Sequence, residues 1–321
     1  MKNVIKLIVK CIIVIAPFIA FYWYASSHLM SFADEEVPYY LWNKEICRSN
    51  GDSAEIIFLG DSVSNAGYAP ELLSDSSINL ALGGTTPVEH YYVLKEYLHH
   101  HDAPDIIYYT VNDNHFHEED SFYKRVLYSH RFDYADIRQI IADAKRCNEP
   151  SIITDTYLDD VISYELYLPS KYVASFTNGG INQRRSRNED AYQLISEHRG
   201  RYISVTDRVN IIEDEIHYDD FIPAPLFDEY YRKVLDLCEE AGITTIRLVK
   251  TPLDSNVSYS ENYPEELYGY YEEILSSYPG TSFFWVNEAY GHEYFSDPIH
   301  LNENGCRRFS ETIKQLYPED F

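Results

Sequence analysis

Five short apolar runs, at 54–59, 77–82, 105–111, 243–249 and 281–286, alternate with longer stretches of helical periodicity. The first three end at Gly60, Gly83 and Asn112, and the fourth is broken by Thr251-Pro252. The stretches between them are clearest over Pro87 to His99, Phe227 to Ala241 and Pro264 to Ser276, and Gly242 closes the second as a helix-ending glycine does. A last helix is expected over Asn304 to Tyr317. Parallel strands can be joined only by a crossover, usually a helix, so this alternation predicts βαβ units and an α/β fold with a central parallel sheet. In such a sheet, reactive side chains collect at the C-terminal ends of the strands.

Residues 115–226 interrupt the alternation. Helices are expected over Tyr134–Cys147 and Asp155–Tyr167, followed by a polar segment carrying Arg184, Arg185 and Arg187. The stretch reads as an insertion after the third strand, a helical cap beside the active-site edge, where loops carry specificity. The three arginines are expected in a solvated loop; gripping an anionic substrate is the competing reading.

The N-terminus is different in kind. Lys2, Lys6 and Lys10 precede an uncharged, mostly apolar run from Cys11 to Ala25. Counted from Val4, about 22 residues suffice to cross a hydrocarbon core if the lysines snorkel. Tyr22, Trp23 and Tyr24 suit the far interface, and the lysines place Met1 in the cytoplasm and the remainder outside. A cleaved signal peptide is the competing reading: Ala25-Ser-Ser-His-Leu-Met lacks a clear small-x-small site directly after the apolar run and Tyr-Trp-Tyr would crowd one, while Ala25-Ser26-Ser27 keeps that option open. The expected division is a membrane anchor over 1–29 and one α/β domain over 30–321.

A formal charge of −26 argues against nucleic acid, whose phosphates are met by Lys and Arg. The 31 tyrosines could line a sugar site, yet many are expected to pack with the hydroxyl in water. Cys11, Cys47, Cys147, Cys238 and Cys306 form no CxxC pair and give no zinc spacing, so free thiols are expected. His99-His100-His101 closes a helix, a favourable end for imidazoles; adjacent helical residues do not face one metal. His115 and His117 follow Asn112 closely and should border the cleft in a solvated loop; contact with a metal or with substrate is the competing reading.

The chemistry lies at the strand ends. Glu55-Ile-Ile-Phe-Leu-Gly60-Asp61-Ser62 puts a serine directly after a strand, and Asp297-Pro-Ile-His300 puts a carboxylate and an imidazole three residues apart. A serine hydroxyl attacks at neutral pH only with a base oriented by a third group, and the chain supplies Ser62, Asp297 and His300 for those roles. Acyl transfer also needs donors fixed in advance for the oxyanion. The backbone N–H groups of Ser62 and Gly84 and the side-chain amide of Asn112 are the candidates, all at the C-terminal edge of neighbouring strands.

Those blocks resemble the SGNH hydrolases, the GDSL esterase/lipase superfamily. Ser62 stands in Gly-Asp-Ser, Gly84 follows Asn79-Leu-Ala-Leu, Asn112 stands in Thr-Val-Asn-Asp, and Asp297-Pro-Ile-His300 completes the set. The resemblance covers 54–114 and 293–313, and the middle third carries no matching block. Thr110 departs from the family's glycine and would narrow the acyl pocket. The resemblance implies a three-layer α/β/α, flavodoxin-like fold, no metal or cofactor, and hydrolysis or transfer of ester-linked acyl groups. A membrane-tethered domain of this kind is also similar in layout to the accessory proteins of membrane-bound O-acyltransferases, which acylate exopolysaccharide or teichoic acid. The expected activity is therefore that of an extracytoplasmic serine O-acyl esterase or O-acyltransferase. Its substrate would be an acylated carbohydrate or other ester, and a membrane-bound O-acyltransferase is an expected partner. The alternative is a catalytically silent carbohydrate-binding or scaffold protein of the same fold.

Overall fold

The structure, a computed structural model, describes residues 2–32, 36–117, 122, 126, 129–152, 180–201, 215–286 and 290–321. In chain order the α-helices among the described residues are α1 (Lys2–Ser26), α2 (Leu29–Phe32), α3 (Val37–Arg48), α4 (Ser62–Gly67), α5 (Pro70–Leu73), α6 (Pro87–His100), α7 (Tyr134–Cys147), α8 (Gly180–Glu197), α9 (Pro225–Glu240), α10 (Tyr263–Ser277) and α11 (Glu303–Leu316), with short 3₁₀ turns besides. The strands are β1 (Ile56–Gly60), β2 (Ser77–Asn79), β3 (Ile106–Thr110), β4 (Ile216–Tyr218), β5 (Thr245–Lys250), β6 (Val257–Tyr259) and β7 (Thr281–Trp285).

Five strands form one sheet in the order β2-β1-β3-β5-β7, every pair parallel. The doubly wound order follows from the expected crossovers, and reversal beside β1 opens the crevice where such sheets place ligands. Alternation along the strands sends side chains to two faces. Ile57, Leu59, Ile107, Tyr109, Ile246 and Leu248 join one buried cluster with α6 and α9. Ile56, Phe58, Tyr108 and Val249 join another with Tyr68 and, from α11, Phe309 and Ile313. Helices thus cover both faces. Phe309 is fully buried there, so its loss to alanine would cost about 3–5 kcal/mol.

Local sequence explains the helix that leads out of the 83–84 turn. Thr86 caps α6 through a reciprocal capping box with Glu89, and Pro87 occupies the first turn, where its missing N–H costs nothing. The helix α9 buries Leu226, Phe227, Tyr230, Tyr231, Val234, Leu235 and Cys238, one stripe at three- and four-residue spacing.

Several expectations need correcting. Arg184, Arg185 and Arg187 lie within α8 rather than in a loop, and Arg185 pairs with Glu189 one turn on at 2.7 Å. A second, two-stranded parallel sheet of β4 and β6 was not foreseen. Many tyrosines do not leave the hydroxyl in water: Tyr40, Tyr68, Tyr108 and Tyr230 are all but fully buried and bond Gly83 O, Thr110, Asp320 and Asp143. The 155–167 helix lies outside the described residues, as does a good part of the 115–226 insertion, of which α7 falls where expected. All five cysteines are free, and burial pushes the Cys47 and Cys306 thiols up to about 11. Over Lys2–Ala25, α1 is long and apolar enough to cross a membrane or to serve as a signal sequence, with a mean hydropathy of 2.5.

Candidate active site

Gly60 ends β1 opposite Thr110 of β3 with φ +142°, and a Cβ there would lie 1.8 Å from Thr110 O. Only glycine lets the chain turn there so close to its neighbour. Asp61 then caps α4, its Oδ1 accepting the Val63 N–H at 3.0 Å, and Ser62 becomes the first helical residue. The N–H at that position has no partner within the helix.

Three side chains meet across the sheet edge. Ser62 Oγ lies 2.7 Å from His300 Nε2, and His300 Nδ1 lies 2.6 Å from Asp297 Oδ2. Because a carboxylate only accepts, the ring must carry its proton on Nδ1, which leaves the Nε2 lone pair facing the serine hydroxyl. Asp297 is itself fixed: its Oδ1 accepts the backbone N–H groups of Ile299 and His300 at 3.0 and 2.8 Å. Burial would raise the Asp297 carboxyl, but the His300 hydrogen bond and charge with the two backbone donors outweigh it and hold the group below its usual value. The arrangement can take a proton from Ser62 and stabilise the resulting imidazolium.

The other expected residues are near. A Cβ built on Gly83 would lie 3.8 Å from Ser62 Cβ, which brings the 83–84 turn beside the serine, and Gly84 takes a left-handed φ of +66°. Asn112 is buried; its N–H donates to Asp61 Oδ2 at 2.7 Å, and its side-chain Oδ1 accepts the Asn114 N–H at 3.0 Å. That second bond fixes which end of the amide is the acceptor and leaves Nδ2 as the donor end. Thr110 does not narrow the cleft by projecting into it, since its hydroxyl is fully buried against Tyr68 OH at 2.9 Å. Ser64, in the first turn of α4, donates its hydroxyl to Leu59 O at 3.1 Å.

The sequence did not single out Asp61. Its side chain is fully buried, and its Oδ2 also meets His115 Nδ1 at 2.6 Å. Burial would raise this carboxyl, yet the His115 charge and hydrogen bond and the Asn112 N–H hold it below its usual value. Its position inside Gly-Asp-Ser was a signal, since a cap residue next to a candidate nucleophile ties the turn down. His115 thus belongs to the site's support rather than to a solvated loop. His90, wedged between Thr85 Oγ1 at 3.0 Å and Tyr109 OH at 3.2 Å, is pushed down to about 3 by burial and stays neutral. A second oriented imidazole, His292, has Asp254 Oδ2 at 2.6 Å on one nitrogen and Ser255 Oγ at 3.4 Å on the other. At the end of α6, His100 Nδ1 bonds locally to Glu96 O at 3.1 Å, while His101 Nε2 reaches Ile46 O of α3 at 2.9 Å.

No family model matches the chain, and no curated protein matches it. Among solved structures, one described as "The structure of a putative platelet activating factor from Streptococcus pneumonia" is similar at 14% identity, covering 88% of this chain and 92% of that chain, with a TM-score of 0.39. A likeness that distant carries no argument about activity.

Proposed function

We propose that the chain is a serine O-acyl esterase or O-acyltransferase of the SGNH type. The observation that carries this is the hydrogen-bonded relay from Ser62 through His300 to Asp297 at the C-terminal edge of a parallel sheet. Ser62 Oγ attacks the acyl carbonyl while His300 Nε2 takes the proton. The tetrahedral oxyanion is met by the N–H groups of Ser62 and Gly84 and by Asn112 Nδ2. Collapse breaks the ester C–O bond, and the same proton passes from His300 to the leaving alkoxide, freeing the alcohol. The acyl-enzyme then yields to water, as an esterase, or to a sugar hydroxyl, as a transferase, with His300 again taking the proton.

The long apolar α1 supports an anchored protein with the site outside the membrane, and the lysines at its start support a cytoplasmic N-terminus. An acylated cell-surface polysaccharide suits that location, with a membrane-bound O-acyltransferase as the acyl-handling partner. A silent scaffold would have no use for a serine held 2.7 Å from an oriented imidazole. An alkyl fluorophosphonate tests the reading, because it reports an activated serine whatever the natural ester: it should label the full-length chain and spare Ser62→Ala. Equal labelling of both would remove Ser62 from the role.

A further inference from the structure

Lys250 ends β5 inside the protein. Its side chain is 7% exposed, and its ammonium ion-pairs with the buried carboxylate of Asp113, which also accepts the Tyr263 hydroxyl on the same oxygen. Four rings surround it: Tyr218, Tyr259, Tyr263 and Trp285, with centroids 5.9, 5.7, 5.8 and 5.5 Å from Nζ. Those distances are within reach of cation–π attraction. Burial holds the Lys250 amine below its ordinary value, opposed only in part by the Asp113 charge and hydrogen bond and, more distantly, by Asp61.

Stability alone does not account for such a group. Buried ion pairs can often be replaced by apolar residues of similar volume at no cost, because desolvating two charges offsets their attraction. What the pair does provide is a fixed point next to Asn112. Asp113 follows Asn112 and opens the 3₁₀ turn Asp113–Phe116, for which Asn112 is the cap. On one side Asp61 takes the Asn112 N–H; on the other, Lys250 and Tyr263 hold the next residue's carboxylate. Tyr218, from β4, lies beside both Asn112 and Lys250. The ammonium also neutralises a carboxylate that would otherwise sit one residue from the place where negative charge develops.

We propose that Lys250, paired with Asp113 inside its aromatic cage, is a positioning residue that keeps the Asn112 amide aimed at the oxyanion formed on Ser62. The inference rests on the roles given above to Ser62 and Asn112. It acts through Asn112, so its effect belongs in the rate of the chemical step and not in ligand capture.

The test is phosphonylation of the detergent-solubilised full-length chain by an alkyl fluorophosphonate, resolved into a maximal rate and a half-saturating concentration. Lys250→Met should keep a cooperative melt, lower the maximal rate by about 10²-fold, as a misplacement near 1 Å does, and leave half-saturation unchanged. In an Asn112→Ala background the same change should have almost no further effect, since the donor it positions is gone. Should Lys250→Met not fold, Tyr263→Phe removes only the hydroxyl that donates to the Asp113 carboxylate and should slow the maximal rate several-fold. A folded Lys250→Met or Tyr263→Phe reacting at the wild-type maximal rate would overturn the inference and leave Ser62 in place. So would losses that multiply fully with Asn112→Ala, or an Asn112→Ala that reacts normally. A wild type that does not react at Ser62 would overturn the parent reading and this one together.

Discussion

Gly60→Ala probes the turn on which the site is built. Gly60 takes φ +142°, and a Cβ placed there lies 1.8 Å from Thr110 O and 2.9 Å from Ser64 Cβ. Real Cβ contacts do not fall below 3.0 Å, so β1 and β3 must part at this edge by at least 1.2 Å, the difference between those two distances. The unfavourable φ costs about 1–2 kcal/mol. Disturbing the buried pairing and the Asp61–Asn112 bond adds about 1–3 kcal/mol. The total, about 2–5 kcal/mol, should appear as a lower denaturant midpoint of the full-length chain in detergent. Because Asp61 and Ser62 follow directly, a shift near 1 Å should also slow phosphonylation of Ser62 by up to about 10²-fold. Gly242→Ala is the internal control: φ is +78° but nothing lies within 4 Å of the added atom. It should cost about 1 kcal/mol and leave the rate alone. A Gly60→Ala protein with wild-type midpoint and wild-type rate would refute the argument from close approach.

Two further outcomes follow from the site. His300→Ala should reduce turnover of p-nitrophenyl acetate about as heavily as Ser62→Ala, by about 10⁴-fold or more, with Asp297→Asn costing less, because triad members act as a unit; persistent turnover in His300→Ala would point to another base, with His292 already oriented by Asp254. Asp61, whose carboxyl is held below its ordinary value of 3.8, contributes stability that is complete above that value and is lost as pH falls through the lower folded one, so a melting-temperature profile below about pH 4 should be flatter in Asp61→Asn than in the wild type.

Much of this site could be read from the chain because its parts are local. Gly-Asp-Ser, the 83–84 turn and Asn112 each sit where a short apolar run gives way to a turn or a helix, and Asp-x-x-His lies just before the last helix, so each is visible within a few residues. The positions of β1, β3 and β5, and of α6, α7, α9 and α11, were legible for the same reason. The helix α8 was not: Arg184 to Asn188 are polar throughout, and what places that segment is tertiary contact, such as Asn188 Nδ2 donating to Met30 O at 3.0 Å. Nor does any window contain both Asp113 and Lys250, or Asp61 and His115, and a lysine after Ile-Arg-Leu-Val reads as the solvated end of a strand. The tyrosines misled for a related reason. Hydroxyls on a tyrosine-rich chain look like surface groups until an acceptor such as Asp320 or Asp143 is brought to them from far along the sequence.

Activation of Ser62 by His300 has a direct readout: the full-length chain is treated with a limiting alkyl fluorophosphonate and the adduct is located by peptide mass spectrometry. A single adduct on the peptide carrying Gly60-Asp61-Ser62, absent in Ser62→Ala and strongly reduced in His300→Ala, is the result expected. An adduct on Ser255 or elsewhere with Ser62 unmodified, or labelling indifferent to His300, would contradict it.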